Sequence, residues 1–297
     1  MNKTILLTGA TGFLGSNLLK RLVAETENYN VIVLKRSFSN TFRINSIIDK
    51  IKYYDLDKLT NVDLVFKENK IDTIIHCATI YGRREIEPLS LIEANLILPL
   101  QLLEIGCKNG VKTFINTDTI LDKRVNLYSL SKSQFRDWLT VYKEKMVCLD
   151  VALEHFYGPM DDKSKFVTFI IESLLENVDK LELTKGEQER DFIYIDDVVD
   201  AFIKILNKSK DLDKGYYDYE IGTGKNIKIK DFIELVKQIV GNDKTILNFG
   251  VLPYRKFEIM KHDVNIREIK KLGWSPKISL EDGLRKIVKF EKECLGK

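Results

Sequence analysis

Ile5-Leu6-Leu7-Thr8-Gly9-Ala10-Thr11-Gly12-Phe13-Leu14-Gly15 stands near the start of the chain, and its reading decides the fold. Three apolar residues make a short buried strand. The glycines that follow have GxxGxxG spacing, and an amphipathic helix then carries Leu18, Leu19 and Leu22 inward. Strand, glycine loop and helix in that order cradle a pyrophosphate. The glycines let backbone approach the anion, and the first N–H groups of the helix point at it along the helix dipole. Gly9, Thr11, Gly12, Phe13, Leu14 and Gly15 are therefore expected at a dinucleotide, with a plain tight turn as the competing reading.

The next strand, Val31-Ile32-Val33-Leu34, ends in Lys35-Arg36-Ser37. An acid at this place accepts hydrogen bonds from the ribose 2′-hydroxyl of NAD. Two cations and a hydroxyl suit a 2′-phosphate instead, so NADP is expected over NAD, with Lys35 and Arg36 at the phosphate. A third strand, Ile51 to Tyr54, leads to Asp55-Leu56, expected against the adenine. The apolar run from Ile71 ends in His76-Cys77-Ala78-Thr79, whose small side chains suit close passage of backbone beside a cofactor. Ala78 is assigned to the cofactor and Thr79 to the substrate. His76 has no metal partner nearby in sequence and reads as a satisfied core histidine. In the long apolar helix that follows, Asn95 is placed to brace the loop beneath the site, and Pro99 predicts a kink.

Short apolar strands alternate with amphipathic helices up to Lys145, the pattern of an α/β, doubly wound parallel sheet of Rossmann type. Val147 to Leu153 adds a strand, and Tyr157-Gly158-Pro159 then breaks the alternation. A helix over 166–176, a strand over 180–184, a helix over 197–207 and Ile221-Gly222-Thr223-Gly224 are not strict βαβ units. Residues 1–159 are thus expected to form a dinucleotide-binding domain, with segments of 190–224 returning to it. Residues 160–297 form a smaller C-terminal substrate domain.

The chemistry gathers around Phe114-Ile115-Asn116-Thr117-Asp118-Thr119 and Tyr128-Ser129-Leu130-Ser131-Lys132. The first is a buried strand ending in polar residues. The second opens a helix with Tyr128 and Lys132 at i and i+4, on one face. A phenol is a poor acid or base at neutral pH, with an unperturbed pKa of about 10, and a nearby ammonium favours the phenolate. Thr117 adds a hydroxyl for the oxygen that gains or loses the proton. Tyr54 and Lys58 share the same spacing and read as strand end and solvated surface, so spacing alone does not define a site.

Composition narrows the classes. With 44% apolar and 31% charged residues and a net charge of +3, the 297-residue chain has ordinary globular statistics. It has no basic run long enough to track a nucleic-acid backbone. Cys77, Cys107, Cys148 and Cys294 are scattered without CxxC or His-Cys clustering, which predicts reduced thiols, no zinc site and a cytoplasmic location. The apolar helix from Leu89 to Ile105 contains Glu93, Asn95, Pro99, Gln101 and Glu104 and is expected not to span a membrane.

Taken together, TGATGFLG, the His76–Thr79 strand end, Thr117, YSLSK, YGP, RDFIYIDDVVDA, IGTG and Leu272-Gly273-Trp274-Ser275-Pro276 occur in a familiar order. It is that of extended short-chain dehydrogenase/reductases, the NAD-dependent epimerase/dehydratase group, which the chain resembles over nearly its whole length. The resemblance implies Thr117, Tyr128 and Lys132 as the catalytic set, with Lys132 also at the cofactor ribose. It implies a nucleotide-diphosphate sugar substrate, Arg190 and Arg255 at its diphosphate, Phe166 at its base and Asp118 near its sugar. It also implies a homodimer built from the helices around 86–106 and 127–144.

IIHCATIYG, FINTDT, LEHFYGP and KGEQERDFIYIDDVVDA are similar to the branch of 4-ketoreductases that finish deoxy- and dideoxyhexoses for bacterial surface polysaccharides. The activity this implies is NADPH-dependent reduction of the C4 keto group of a nucleotide-linked 4-keto-6-deoxy or 3,6-dideoxy hexose. A 4-epimerase with retained NAD and a non-catalytic dinucleotide-binding protein are the alternatives. Two departures stand out. The sugar-nucleotide 4,6-dehydratases follow their threonine with Asp-Glu, whereas Asp118 is followed by Thr119, and Ala152 stands where many relatives carry Arg.

Overall fold

The computed structural model describes residues 2–82 and 87–296, in two compact units. The first comprises residues 1–153 and 199–220, the second 154–198 and 221–297.

In the first unit, β1 (Lys3–Thr8), α1 (Phe13–Ala24), β2 (Tyr29–Lys35), β3 (Lys52–Asp55), α2 (Asp63–Glu68) and β4 (Thr73–His76) follow one another. Then come α3 (Pro88–Ile92), a π-helical turn (Glu93–Ile97), α4 (Leu98–Lys108), β5 (Thr113–Thr119), α5 (Leu127–Val141) and β6 (Val147–Leu153). The strands β3, β2, β1, β4, β5 and β6 lie side by side in that order and pair in parallel. This is the doubly wound α/β sheet expected from the alternation. Their apolar runs are continuous because both faces are covered by helices.

Register aligns the faces. Thr8 pairs with His76, His76 with Asn116, and Asn116 with Asp150. On the face that α5 covers, Leu6, Ile74, Phe114 and Cys148 join Leu102, Leu103, Phe135 and Leu139 in the core. Two residues further along each strand, the same face carries Thr8, His76, Asn116 and Asp150, all buried. The sheet face thus changes from apolar to polar at the carboxyl ends of its strands.

Of the helix expected over 86–106, residue 86 lies outside the described residues, and from Pro88 the helix runs to Lys108 through a π-turn at Glu93–Ile97. Proline has no N–H to donate, and Pro99 stands at the start of α4, where the π-turn hands over. Its length and hydropathy pass for a membrane span, yet Leu91, Asn95, Pro99, Leu102, Leu103 and Gly106 are buried within this unit.

In the second unit, β7 (His155–Tyr157), α6 (Phe166–Leu175), β8 (Lys180–Leu183) and β9 (Glu189–Tyr194) lead into α7 (Ile195–Lys208), whose later turns belong to the first unit with most of β10 (Gly215–Ile221). After it come β11 (Asn226–Lys228), α8 (Ile229–Val240), β12 (Ile246–Phe249), α9 (Arg267–Lys271) and α10 (Leu280–Cys294). β11, β9 and β7 form one small sheet, and β8 pairs with β12. Phe166, Phe192 and Phe232 stack at its core. Asp191 orders the Gly222–Gly224 turn by accepting from the Thr223 and Gly224 N–H groups at 3.0 and 2.7 Å.

Candidate active site

The glycine loop is built for close approach. Gly9 has φ +69°, and a Cβ there would lie 2.4 Å from the Ala78 nitrogen. A Cβ on Gly15 would lie 2.2 Å from the Gly9 carbonyl oxygen, so α1 can press against the loop only with glycine in its first turn. The Gly12 N–H closes the loop on Gly9 O at 2.9 Å. No side chain caps the N-terminus of α1 and its first turn holds no acid. Such a 12-residue helix offers N–H groups and a positive dipole end to an anion, so the loop fits a dinucleotide pyrophosphate. Thr11, Phe13 and Leu14 belong to the same turn, and Ala78 abuts Gly9 across β1 and β4.

Two expected cofactor contacts are engaged with each other. Lys35 and Asp55 are register partners on β2 and β3, and the Lys35 ammonium is ion-paired to the Asp55 carboxylate. That partner holds Asp55 below the usual carboxylate range. The Lys35 charge is therefore already matched, whereas Arg36 is exposed, its guanidinium 4.8 Å from the Phe38 ring centroid. Leu56 follows Asp55 at the sheet edge. Sequence reasoning missed Arg43, which stacks on Phe42 and donates to Thr11 O at 3.4 Å, placing a cation beside the glycine loop. No short-range pattern marked it.

Helix α5 starts where it does because Asn126 caps it. The Asn126 side chain accepts from the Ser129 N–H at 2.8 Å, and the Ser129 hydroxyl receives the Asn126 N–H at 3.3 Å. Tyr128 falls in the first turn, half-buried, with its ring centroid 5.0 Å from that of Tyr81. Lys132, one turn on, is buried, and its ammonium donates to Asn116 Oδ1 at 3.4 Å. Burial lowers the Lys132 pKa, and the negative charges of Asp118 and Asp150 oppose that shift.

Thr117 is buried, and its hydroxyl donates to the His76 carbonyl at 3.0 Å. The two-residue period of β5 directs Asn116 and Asp118 to the α5 face and Thr117 to the other. Asp118, expected near substrate, has a partner within the protein. Its side chain is 0% exposed and accepts from Arg136 Nε at 2.6 Å, so an inward-facing strand position has committed it to an ion pair. Thr79 donates to Asn95 Oδ1 at 3.1 Å, and Asn95 donates to Ile80 O and Ser131 Oγ, tying the loop after β4 to α5. His76 is only half satisfied. Nδ1 meets the Thr8 hydroxyl at 2.9 Å, Nε2 is buried without a partner, and burial holds the ring neutral.

In the second unit, Arg190 is ion-paired to Glu258 and donates to Glu189 O at 2.7 Å. Arg255 is exposed and near enough to oppose the Arg190 charge. Phe166 lies in the aromatic stack, 6.2 Å from Phe192.

The family model for the NAD-dependent epimerase/dehydratase family matches residues 5–222. The chain belongs to that family. It is 35% identical to CDP-abequose synthase of Salmonella muenchen over 98% of this chain and 99% of that one. The Salmonella typhimurium CDP-abequose synthase is 31% identical over 97% and 98%. Among solved structures, the UDP-glucose 4-epimerase of Thermotoga maritima, with UDP-glucose, superposes with a TM-score of 0.84 at 26% identity, covering 98% and 99% of the two chains. The Bacillus cereus UDP-glucuronic acid 4-epimerase, in complex with UDP-glucuronic acid and NAD, shares the fold at TM-score 0.84 and 23% identity.

The cradle yields one expectation. Gly15→Ala places a methyl against Gly9 O and should weaken NAD(P) binding by at least ~10-fold, the scale of a lost charge-assisted contact. Cofactor titration by intrinsic-fluorescence quenching reads it. Unaltered affinity with retained circular dichroism would remove the glycine loop from the binding site.

Proposed function

We propose that the protein is an NADPH-dependent reductase of the C4 keto group of a nucleotide-activated 4-keto-6-deoxy or 3,6-dideoxy hexose. The observation that carries this reading is the helical pair Tyr128 and Lys132 at the carboxyl ends of the parallel strands, in a chain aligned end to end with CDP-abequose synthases. A bound nicotinamide dinucleotide would supply the hydride. Tyr128 donates its phenolic proton to the C4 oxygen, so that carbonyl becomes carbinol. Lys132 holds the ribose and stabilises the phenolate left behind. Thr117 turns its hydroxyl from the His76 carbonyl to the sugar oxygen. Arg190 and Arg255 meet the diphosphate, for which Glu258 holds the Arg190 fork in place. Phe166 lies at the base. Elimination of water is disfavoured because Asp118, next to Thr117, is engaged by Arg136.

Arg36 supports NADPH over NADH as the reductant, since it is the exposed cation at the end of β2. A homodimer is supported by an apolar stripe on α5. Leu127, Leu130, Trp138 and Val141 recur at helical spacing on the face opposite Lys132 and are 49%, 38%, 43% and 60% exposed. Leu89 and Ile97 add exposed apolar surface on the helix 88–108.

A 4-epimerase is the second reading, favoured by the 4-epimerases among the solved structures of like fold. An NADPH assay with CDP-, dTDP- and GDP-linked 4-keto sugars separates the two. Net oxidation of NADPH is expected, and interconversion of C4 epimers without it would establish the epimerase. In that assay Tyr128→Phe should lower kcat by at least ~10²-fold, the scale of losing a general acid. Undiminished turnover would exclude Tyr128 as the proton donor. Arg36→Ala should reduce the preference for NADPH over NADH by roughly 10-fold, read as the ratio of the two kcat/KM values. An unchanged ratio would place 2′-phosphate selection elsewhere. Trp138→Glu should convert the dimer to a monomer by light-scattering mass, and a wild-type monomer would defeat the dimer proposal.

A further inference from the structure

Beneath the catalytic pair lies a buried polar cluster that the proposed chemistry does not use. Arg136 stands one helical turn after Lys132, so Tyr128, Lys132 and Arg136 share a face of α5 at i, i+4 and i+8. Its Nε donates to Asp118 Oδ2 at 2.6 Å and lies 3.3 Å from Asp150 Oδ2, and its Nη2 reaches Thr119 O at 3.3 Å. Asp118 and Asp150 are 0% and 3% exposed at their side chains. Asp118 also accepts from the Thr119 N–H at 2.7 Å. Asn116 connects the cluster to the lysine. Its Nδ2 donates to Asp150 Oδ1 at 2.7 Å, while its Oδ1 receives Lys132 Nζ at 3.4 Å.

The geometry follows from register. Asn116 pairs with Asp150 and Asp118 with Ala152, so four alternate positions of two strands face one helix. Ala152 is the register partner of Asp118, and the cation that meets Asp118 comes from α5, as Arg136.

We infer that Asn116, Asp118, Arg136 and Asp150 are positioning residues for Lys132. The amide seats the ammonium, and the acid pair behind it keeps the ammonium charged. With both acids ionised, their two negative charges match those of the buried Lys132 and of Arg136, whose side chain is 38% exposed. Burial and the neighbouring Asp118 charge push Asp150 well above the usual carboxylate range. Arg136 restrains that rise. The other groups facing Lys132 are His76 and Cys77 at the end of β4, the first held neutral by burial and the second pushed up to about 12. Neither supplies a negative charge at neutral pH, so the carboxylates are its only counter-charges among the described residues.

This inference rests on the reading of Lys132 as the partner of Tyr128, but it can be tested without substrate or cofactor. In protein labelled with ¹³C-lysine, the Lys132 side-chain resonance is the one missing from Lys132→Met, and its pH midpoint is measured directly. Removing the opposing charges favours the neutral amine. Asp118→Asn with Asp150→Asn should therefore lower the Lys132 midpoint by ~1 unit or more, as for carboxylates within ~4–6 Å. Each single change should lower it by less than the double change, because one carboxylate still faces the ammonium. A double variant that folds with an unmoved midpoint overturns the inference.

Should the double variant not fold, the wild-type protein decides between the outcomes. The ¹⁵N-labelled Asn116 carboxamide, assigned by its loss in Asn116→Ser, contacts both Asp150 and Lys132. Its resonance should inflect once with the acid pair and again at the Lys132 midpoint. Absence of the second inflection would show that Asn116 does not couple the two. Activity assays stand apart, so a failed substrate screen would leave this result intact.

Discussion

A single buried ammonium constrains this active site. Lys132 is 1% exposed, and burial favours its neutral form. A carboxylate in direct contact would be the simplest compensation. In the proposed reduction it would also occupy the donors offered to a ribose and weaken the field acting on Tyr128. The chain instead places an amide oxygen at the ammonium and sets the carboxylates one residue further away. The amide satisfies one N–H donor and leaves the others directed elsewhere. Leaving a buried charge without any partner costs about 3–5 kcal/mol, so the second layer of acids stabilises both the fold and the charge.

That second layer exists because of how parallel sheets are made. Strands run the same way, so their carboxyl ends lie together, and each face changes character at the same level. Leu6, Ile74, Phe114 and Cys148 form the apolar level, and Thr8, His76, Asn116 and Asp150 the polar one. Helix α5 matches this gradient. Phe135 and Leu139 pack at the apolar level, while Lys132 and Arg136 reach polar partners. The cap at Asn126 fixes the helical phase, and Asn95 ties Ser131 to the loop after β4.

The fold was legible because its signals are local. A strand, a glycine turn and a helix lie within twenty residues. The strands expected over 147–153 and 180–184 and the helix over 166–176 end within a residue of those observed, whereas α8, β12, α9 and α10 were not read. The contacts that decide charge were not legible in the same way. Lys35 and Asp55 are twenty positions apart and meet only through the register of β2 with β3. Asp118 looks like a site residue because it ends a strand, and strand alternation turns it inward. Arg136 was available from its i+4 spacing after Lys132, but helical spacing names a face and not the partner on it. Around the expected kink at Pro99 the helix passes through a π-turn, a local irregularity that a proline without an N–H to donate favours.

Neutralisation by register also bears on cofactor choice. An ammonium already paired with Asp55 offers a 2′-phosphate less than its formal charge suggests, since the phosphate must share the cation with a carboxylate. Among the described residues no carboxylate pairs with Arg36 at the end of β2, and its guanidinium lies over Phe38. Of the two cations at the end of β2, the one nearer the core is already committed to Asp55 across β2 and β3, and the proposed preference for NADPH therefore rests on the other.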